Sequence, residues 1–135
     1  MKTKRLLDSY AVLAYLNGEP AAEAVEQAMK DAEDSGSSLL MSEINIGEVY
    51  YILSRKRGPE KADYFFDTIL KGLPIEGLPV DFSLILQASR LKAKYPLSYA
   101  DCFAAAQAIR SEASILTGDP EFKAVEELVT IEWLA

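Results

Sequence analysis

Short apolar runs alternate with segments of helical periodicity along all 135 residues, and this alternation restricts the fold more than any other feature. A strand that reaches the next strand through a helix re-enters the sheet from the same end, so such strands run parallel. The pattern predicts strands at 5–7, 38–41, weakly within 72–79, at 114–117 and at 129–133. Helices are expected at 9–16, from Pro20, from a Ser42 cap to about Lys56, from Pro59, from an Asp81 cap to Lys94, and from a Ser98 cap through Ser111. A short one is expected to start at Asp119-Pro120. Breaks fall at Asn17-Gly18, at 34–37, at Gly58-Pro59 and at Tyr95-Pro96. In the fourth helix Ala62, Phe65, Phe66, Ile69 and Leu70 are expected to face inward. The expectation is a single α/β domain over 1–135, with a mostly parallel central sheet. No internal repeat, low-complexity tract or linker interrupts it.

The chain has no histidine and one cysteine, Cys102. Imidazole acid–base chemistry, Ser-His-Asp triads, zinc sites with histidine ligands and intrachain disulfides are therefore excluded. Chemistry must rest on carboxylates, hydroxyls, amines, backbone groups or a metal held by oxygen. Cys102 reads as a small core residue.

No apolar run approaches the ~20 residues of a membrane span. The basic start carries only two leucines before Asp8, too few for a signal peptide, so the expected compartment is the cytoplasm with no membrane partner. The net charge of −7, from 21 acidic and 14 basic residues, argues against non-specific nucleic-acid binding through a basic surface. It leaves open a nuclease in which carboxylates recruit a cation that then meets the phosphate. The basic residues gather in three groups: Lys2, Lys4 and Arg5; Arg55, Lys56, Arg57 and Lys61; Arg90, Lys92 and Lys94. These read as solvated helix ends.

Four acids occupy suggestive places. Asp8 and Asp119 follow the first and fourth strands, where ligands of open parallel sheets bind. Glu48 shares a helical stripe with Ile44, Tyr51 and Ile52, and a carboxylate there needs a partner. Asp101 stands at the start of an alanine-rich helix, among small and apolar neighbours. Each acid also has a local explanation. Asp8 and Asp119 can be N-caps, Ser98 with Asp101 reads as a capping box, and Glu48 can pair with a lysine or arginine. The functional reading rests on the four together.

Leu-Leu-Asp-Ser-Tyr-Ala-Val-Leu-Ala-Tyr-Leu (6–16), Ser-Glu-Ile-Asn-Ile-Gly-Glu-Val-Tyr-Tyr (42–51), Leu-Ser-Tyr-Ala-Asp-Cys-Phe-Ala-Ala-Ala (97–106) and Leu-Thr-Gly-Asp-Pro-Glu-Phe (116–122) resemble the successive motifs of PIN domains. The resemblance is greatest to the VapC-type toxin ribonucleases of prokaryotic toxin–antitoxin pairs, and it spans residues 5–134. It implies strand order 3-2-1-4-5, flanked by about seven helices. It carries the family's acids onto Asp8, Glu48, Asp101 and Asp119, and its hydroxyl residue onto Thr117. It also implies an RNA substrate, a cognate antitoxin and a homodimer. The aromatic segment of Tyr50, Tyr51, Tyr64, Phe65 and Phe66, which suits a core or an interface, points the same way.

Four carboxylates without nitrogen or sulfur ligands select a hard cation, Mg²⁺ or Mn²⁺. The expected reaction is phosphodiester hydrolysis by a metal-activated water, leaving a 5′-phosphate. Asp8 and Asp101 are expected to be the most direct ligands, with Asp119 and Glu48 holding metal-bound waters or a second ion. Thr117 and Ser9 would orient ligands or waters. A haloacid-dehalogenase-like phosphatase would need Asp-x-Asp after the first strand, where this chain has Asp8, Ser9 and Tyr10. A receiver domain would need an acidic pair there and a phosphorylatable aspartate after the third strand. A non-catalytic binding module of the same fold, acting through a protein partner, is the remaining alternative.

Overall fold

A computed structural model describes residues 4–134; Lys2, assigned above to a basic group, lies outside them, as do Met1, Thr3 and Ala135. Five strands form one sheet: β1 (Lys4–Leu7), β2 (Leu39–Ser42), β3 (Ile75–Leu78), β4 (Ala113–Thr117) and β5 (Ile131–Trp133), in the order β3-β2-β1-β4-β5. All four pairings are parallel. The helices are α1 (Ser9–Leu16), α2 (Ala22–Asp34), α3 (Glu43–Arg57), α4 (Pro59–Tyr64), α5 (Phe82–Lys94) and α6 (Tyr99–Ser111), with a 3₁₀ segment at Pro120–Val125. α4 runs on through a π-helical turn, Phe65–Ile69, and a 3₁₀ turn, Leu70–Gly72.

Neighbouring residues of the inner strands feed opposite layers, as the two-residue period of a strand requires. Leu6 and Ile115 join a core beneath α5, α6 and the 3₁₀ segment, with Leu84, Phe103 and Phe122. Leu7 and Leu116 join a second core with Val12, Val25, Met29, Val49 and Phe65. β4 is buried along its whole length, whereas the edge strand β3 is not. In α6 every residue from Asp101 to Ala108 is buried. The alanines there let the helix lie close to the sheet and to its neighbours α3 and α5.

Some boundaries differ from expectation. α2 begins at Ala22, with Pro20 in the preceding turn, and β5 begins at Ile131. Ala62 and Phe65 face inward, but Phe66 is 48% exposed and Ile69 and Leu70 are half-buried. The π turn at 65–69 changes the register of the helix, so the expected stripe does not continue.

Candidate functional site

β1 and β4 lie side by side, with Leu7 level with Leu116, so Asp8 and Thr117 come together at the strands' carboxyl ends. The chain leaves this pair toward β2 on one side and β5 on the other, which makes it the switch point of the sheet. Asp8 caps α1: its Oδ1 accepts from the Ala11 amide at 2.9 Å, and its Oδ2 accepts from the Thr117 hydroxyl at 2.5 Å. The residue is 1% exposed. Burial pushes its pKa up to about 7; the Thr117 and Ala11 hydrogen bonds pull it back, and the charge of Asp119 adds to the rise. The same Thr117 oxygen accepts from the Asp119 amide at 3.0 Å. One hydroxyl thus ties two acids together.

Asp119 caps the 3₁₀ segment, accepting from the Glu121 amide at 2.9 Å. Asp101 stands in the first turn of α6, where the Ser98 hydroxyl accepts from the Asp101 amide at 3.2 Å. That is half of the expected capping box. In the other half Glu121, not Asp101, accepts from the Ser98 amide, at 3.0 Å. Asp101 is 6% exposed, and burial pushes its pKa up to about 8. The Ser98 side chain pulls it down, while the charges of Asp119, Asp8 and Glu48 raise it.

Glu48 accepts a hydrogen bond from the Ser9 hydroxyl, not from a lysine or arginine. Its stripe is not core: Ile44 and Ile52 are half-buried and Tyr51 is 47% exposed. The buried face of α3 is Asn45, Ile46, Val49 and Leu53, so the Glu48 stripe borders the cleft. Asn45 bonds the Ala100 carbonyl through Nδ2 at 3.3 Å, linking α3 to the start of α6. Its buried Oδ1 accepts no hydrogen bond among the described residues.

One carboxylate oxygen each from Asp101, Asp119 and Glu121 lies within 4.8 Å of the others. Asp8 and Glu48 stand outside this trio but within electrostatic reach of Asp101. Among the described residues the ion pairs are Arg5–Asp31, Arg5–Glu132 and Arg110–Asp81, and none neutralises a cleft acid. Oxygen donors crowded in this way suit a hard divalent cation. Cys102 offers no competing ligand, since it is core-buried and burial pushes its thiol pKa up. Glu121 was not among the four expected acids. Its only sequence signal is its place just after Asp119-Pro120, because its partners Ser98 and Asp101 belong to another helix.

A family model described as PIN domain matches residues 5–128. No curated protein sequence matches the chain. Among solved structures, VapBC2 from Rickettsia felis, bound to a promoter DNA fragment, is similar with TM-score 0.78 and 17% identity over 98% of this chain and 100% of that one. DNA-bound VapBC from Salmonella typhimurium gives 0.74 and 17%, over 97% and 98%. VapC20 of Mycobacterium tuberculosis, a sarcin-ricin-loop-cleaving toxin, gives 0.72 and 15%, over 90% and 95%. At these identities the likeness is one of fold.

Proposed function

The chain belongs to the PIN-domain family, and on that premise we propose that it is a metal-dependent endoribonuclease, one nuclease domain acting in the cytoplasm as the toxin of a toxin–antitoxin pair. The observation that carries this reading is the convergence of Asp101, Asp119 and Glu121, with Asp8 and Glu48 beside them and, among the described residues, no cation paired to any of the five. Mg²⁺ or Mn²⁺ would be held by Asp101 and Asp119, with Asp8, Glu48 and Glu121 completing or bordering the set. Bound there, the cation supplies charge to the phosphate and acidifies water. The chain's own groups hold the acids in position. Thr117 fixes Asp8 and the backbone of Asp119, Ser9 fixes Glu48, and the Ser98 amide fixes Glu121. No helix among the described residues is long and apolar enough to cross a membrane.

The proposed partners are RNA, a small antitoxin protein and a second copy of the chain. Tyr51, Tyr64 and Phe66 are 47%, 57% and 48% exposed. A groove of about 550 Å³ between α3 and α4 is lined by Ile46, Tyr50, Asp63 and Phe66. Apolar and aromatic area of this kind suits an interface. Light scattering at high concentration is expected to show a dimer; a 14.9 kDa monomer alone would count against it.

The decisive assay is RNA cleavage with Mg²⁺ or Mn²⁺, with EDTA, and by Asp8→Asn. Cleavage should require the cation and be lost in the variant, which keeps the capping shape of Asp8 without its charge. Sequencing RNA ends after controlled expression would map the cut. Full activity in EDTA refutes the metal reading, and a protein that cuts nothing in any condition is a binding module.

A further inference from the structure

We propose that the groove between α1 and α3 is a track for single-stranded RNA, in which Tyr10 stacks a base beside the scissile phosphate and Lys56 meets a phosphate farther along. This rests on the ribonuclease reading above.

One end of the groove is Tyr10, which follows Ser9 in the chain and lies against Gly118. The Ser9–Glu48 hydrogen bond joins α1 to α3 at the cleft. From there Tyr10, Leu13 and Asn17 follow one face of α1, while Glu48, Ile52 and Lys56 follow one face of α3 at four-residue steps. Between them lies a groove of about 190 Å³, lined by Tyr10, Leu13, Asn17, Ile52, Lys56 and Arg57. Eight residues of helix separate Glu48 from Lys56, roughly 12 Å along the axis. Stacking on an aromatic beside this groove needs an unpaired base, which a single strand offers and a duplex does not.

Tyr10 sits against the loop that carries Asp119. Its ring lies over Gly118, where an added Cβ would come 2.5 Å from one ring carbon and 2.7 Å from a second. Gly118 stands between Thr117 and Asp119, so the ring is a wall of the acid cleft, and it stays 40% exposed. A half-exposed aromatic beside the reacting phosphate suits base stacking, which any base satisfies. The far end is cationic in a chain of net charge −7. Arg57 is held by a 2.6 Å bond to Asn17 Oδ1, and Lys56 is exposed, with no ion pair among the described residues. These two cations face one acid, Glu19, at the rim. The charge favours a polyanion, while the exposed Tyr64 and Phe66 that suit a protein partner lie on the α4 side.

Fluorescence anisotropy of a labelled single strand and a hairpin duplex tests this, using Asp8→Asn in Mg²⁺ so that nothing is cut. Adding Tyr10→Ala should weaken single-strand binding by about tenfold or more, while Tyr10→Phe should bind as before. Lys56→Ala should reduce the dependence of log Kd on log salt by ~0.7. The duplex should bind more weakly than the single strand. Thermal melts check folding, and if Tyr10→Ala fails to fold, the surface change Lys56→Ala decides alone. Unchanged affinity and salt slope, or a duplex bound as tightly as a single strand, overturns the track. If the unmutated protein still cleaves RNA in that case, the ribonuclease reading survives. If it cuts nothing with Mg²⁺ or Mn²⁺ yet binds single strands through Tyr10 and Lys56, the track survives and catalysis does not.

Discussion

Replacing Asp101 with asparagine should stabilise the metal-free protein at neutral to alkaline pH. In the unfolded chain its carboxyl titrates near 3.8; folded, burial and then the neighbouring acids carry it to about 8. Between those values the folded protein binds more protons than the unfolded chain, so stability falls as pH rises through this window. The penalty is absent below pH 3.8 and complete above about 8. Its ceiling, at ~1.36 kcal/mol for each pH unit crossed, is roughly 6 kcal/mol. The proton can move to Asp8, and water reaches the open side of the cleft, so ~1–3 kcal/mol is the expected gain for Asp101→Asn at pH 8. In a chain of this size 2 kcal/mol corresponds to about 7 °C in Tm. Mg²⁺ at tenfold excess over its Kd should add ~1.4 kcal/mol to the unmutated protein, about 5 °C, and distinctly less to the variant. The assay is a thermal melt of both proteins from pH 5 to 9, with EDTA and with Mg²⁺. A variant that is destabilised at pH 8, keeps the parent's pH slope and shows the full Mg²⁺ shift would refute the reasoning. Asp101 would then be only a helix-start residue.

Thr117→Val removes the hydroxyl that joins Asp8 to the Asp119 amide; denaturant unfolding should show a loss of ~2 kcal/mol. Gly118→Ala brings a Cβ to 2.5 Å from a Tyr10 ring carbon; the half-exposed ring has room to swing aside, so the cost should be no more than ~1 kcal/mol, much of it recovered in the Tyr10→Ala double variant. On the far side of the sheet Arg5 grips Glu132 with two bonds of 3.1 and 3.0 Å. With side chains 26% and 38% exposed, a double-mutant cycle should return about 1 kcal/mol. Burial pushes the Glu132 carboxyl up, but the Arg5 and Ser114 bonds outweigh it and hold it below its usual 4.5. This contribution should therefore be present above pH 4.5 and fade as pH falls.

The order and direction of the elements were legible because they depend on local period. Leu6 and Leu7, or Ile115 and Leu116, must face opposite ways on a strand, and both faces being apolar requires cover on both. The placement of Asp8 and Asp119 at strand ends followed from the same reading, and their capping roles are real: each spends one oxygen on an amide and keeps its place at the cleft. What the chain could not show locally was decided by contact between elements distant in sequence. Glu48 is matched with Ser9 and not with a cation because α1 and α3 meet there. Its stripe borders a cleft instead of a core because Asn45, Val49 and Leu53 take the buried side. Glu121 joins Asp101 because the 3₁₀ segment folds back onto the start of α6 and takes the Ser98 amide that a capping box would have given to Asp101. Period and caps are properties of a few consecutive residues; the partner of a carboxylate is a property of the packed molecule.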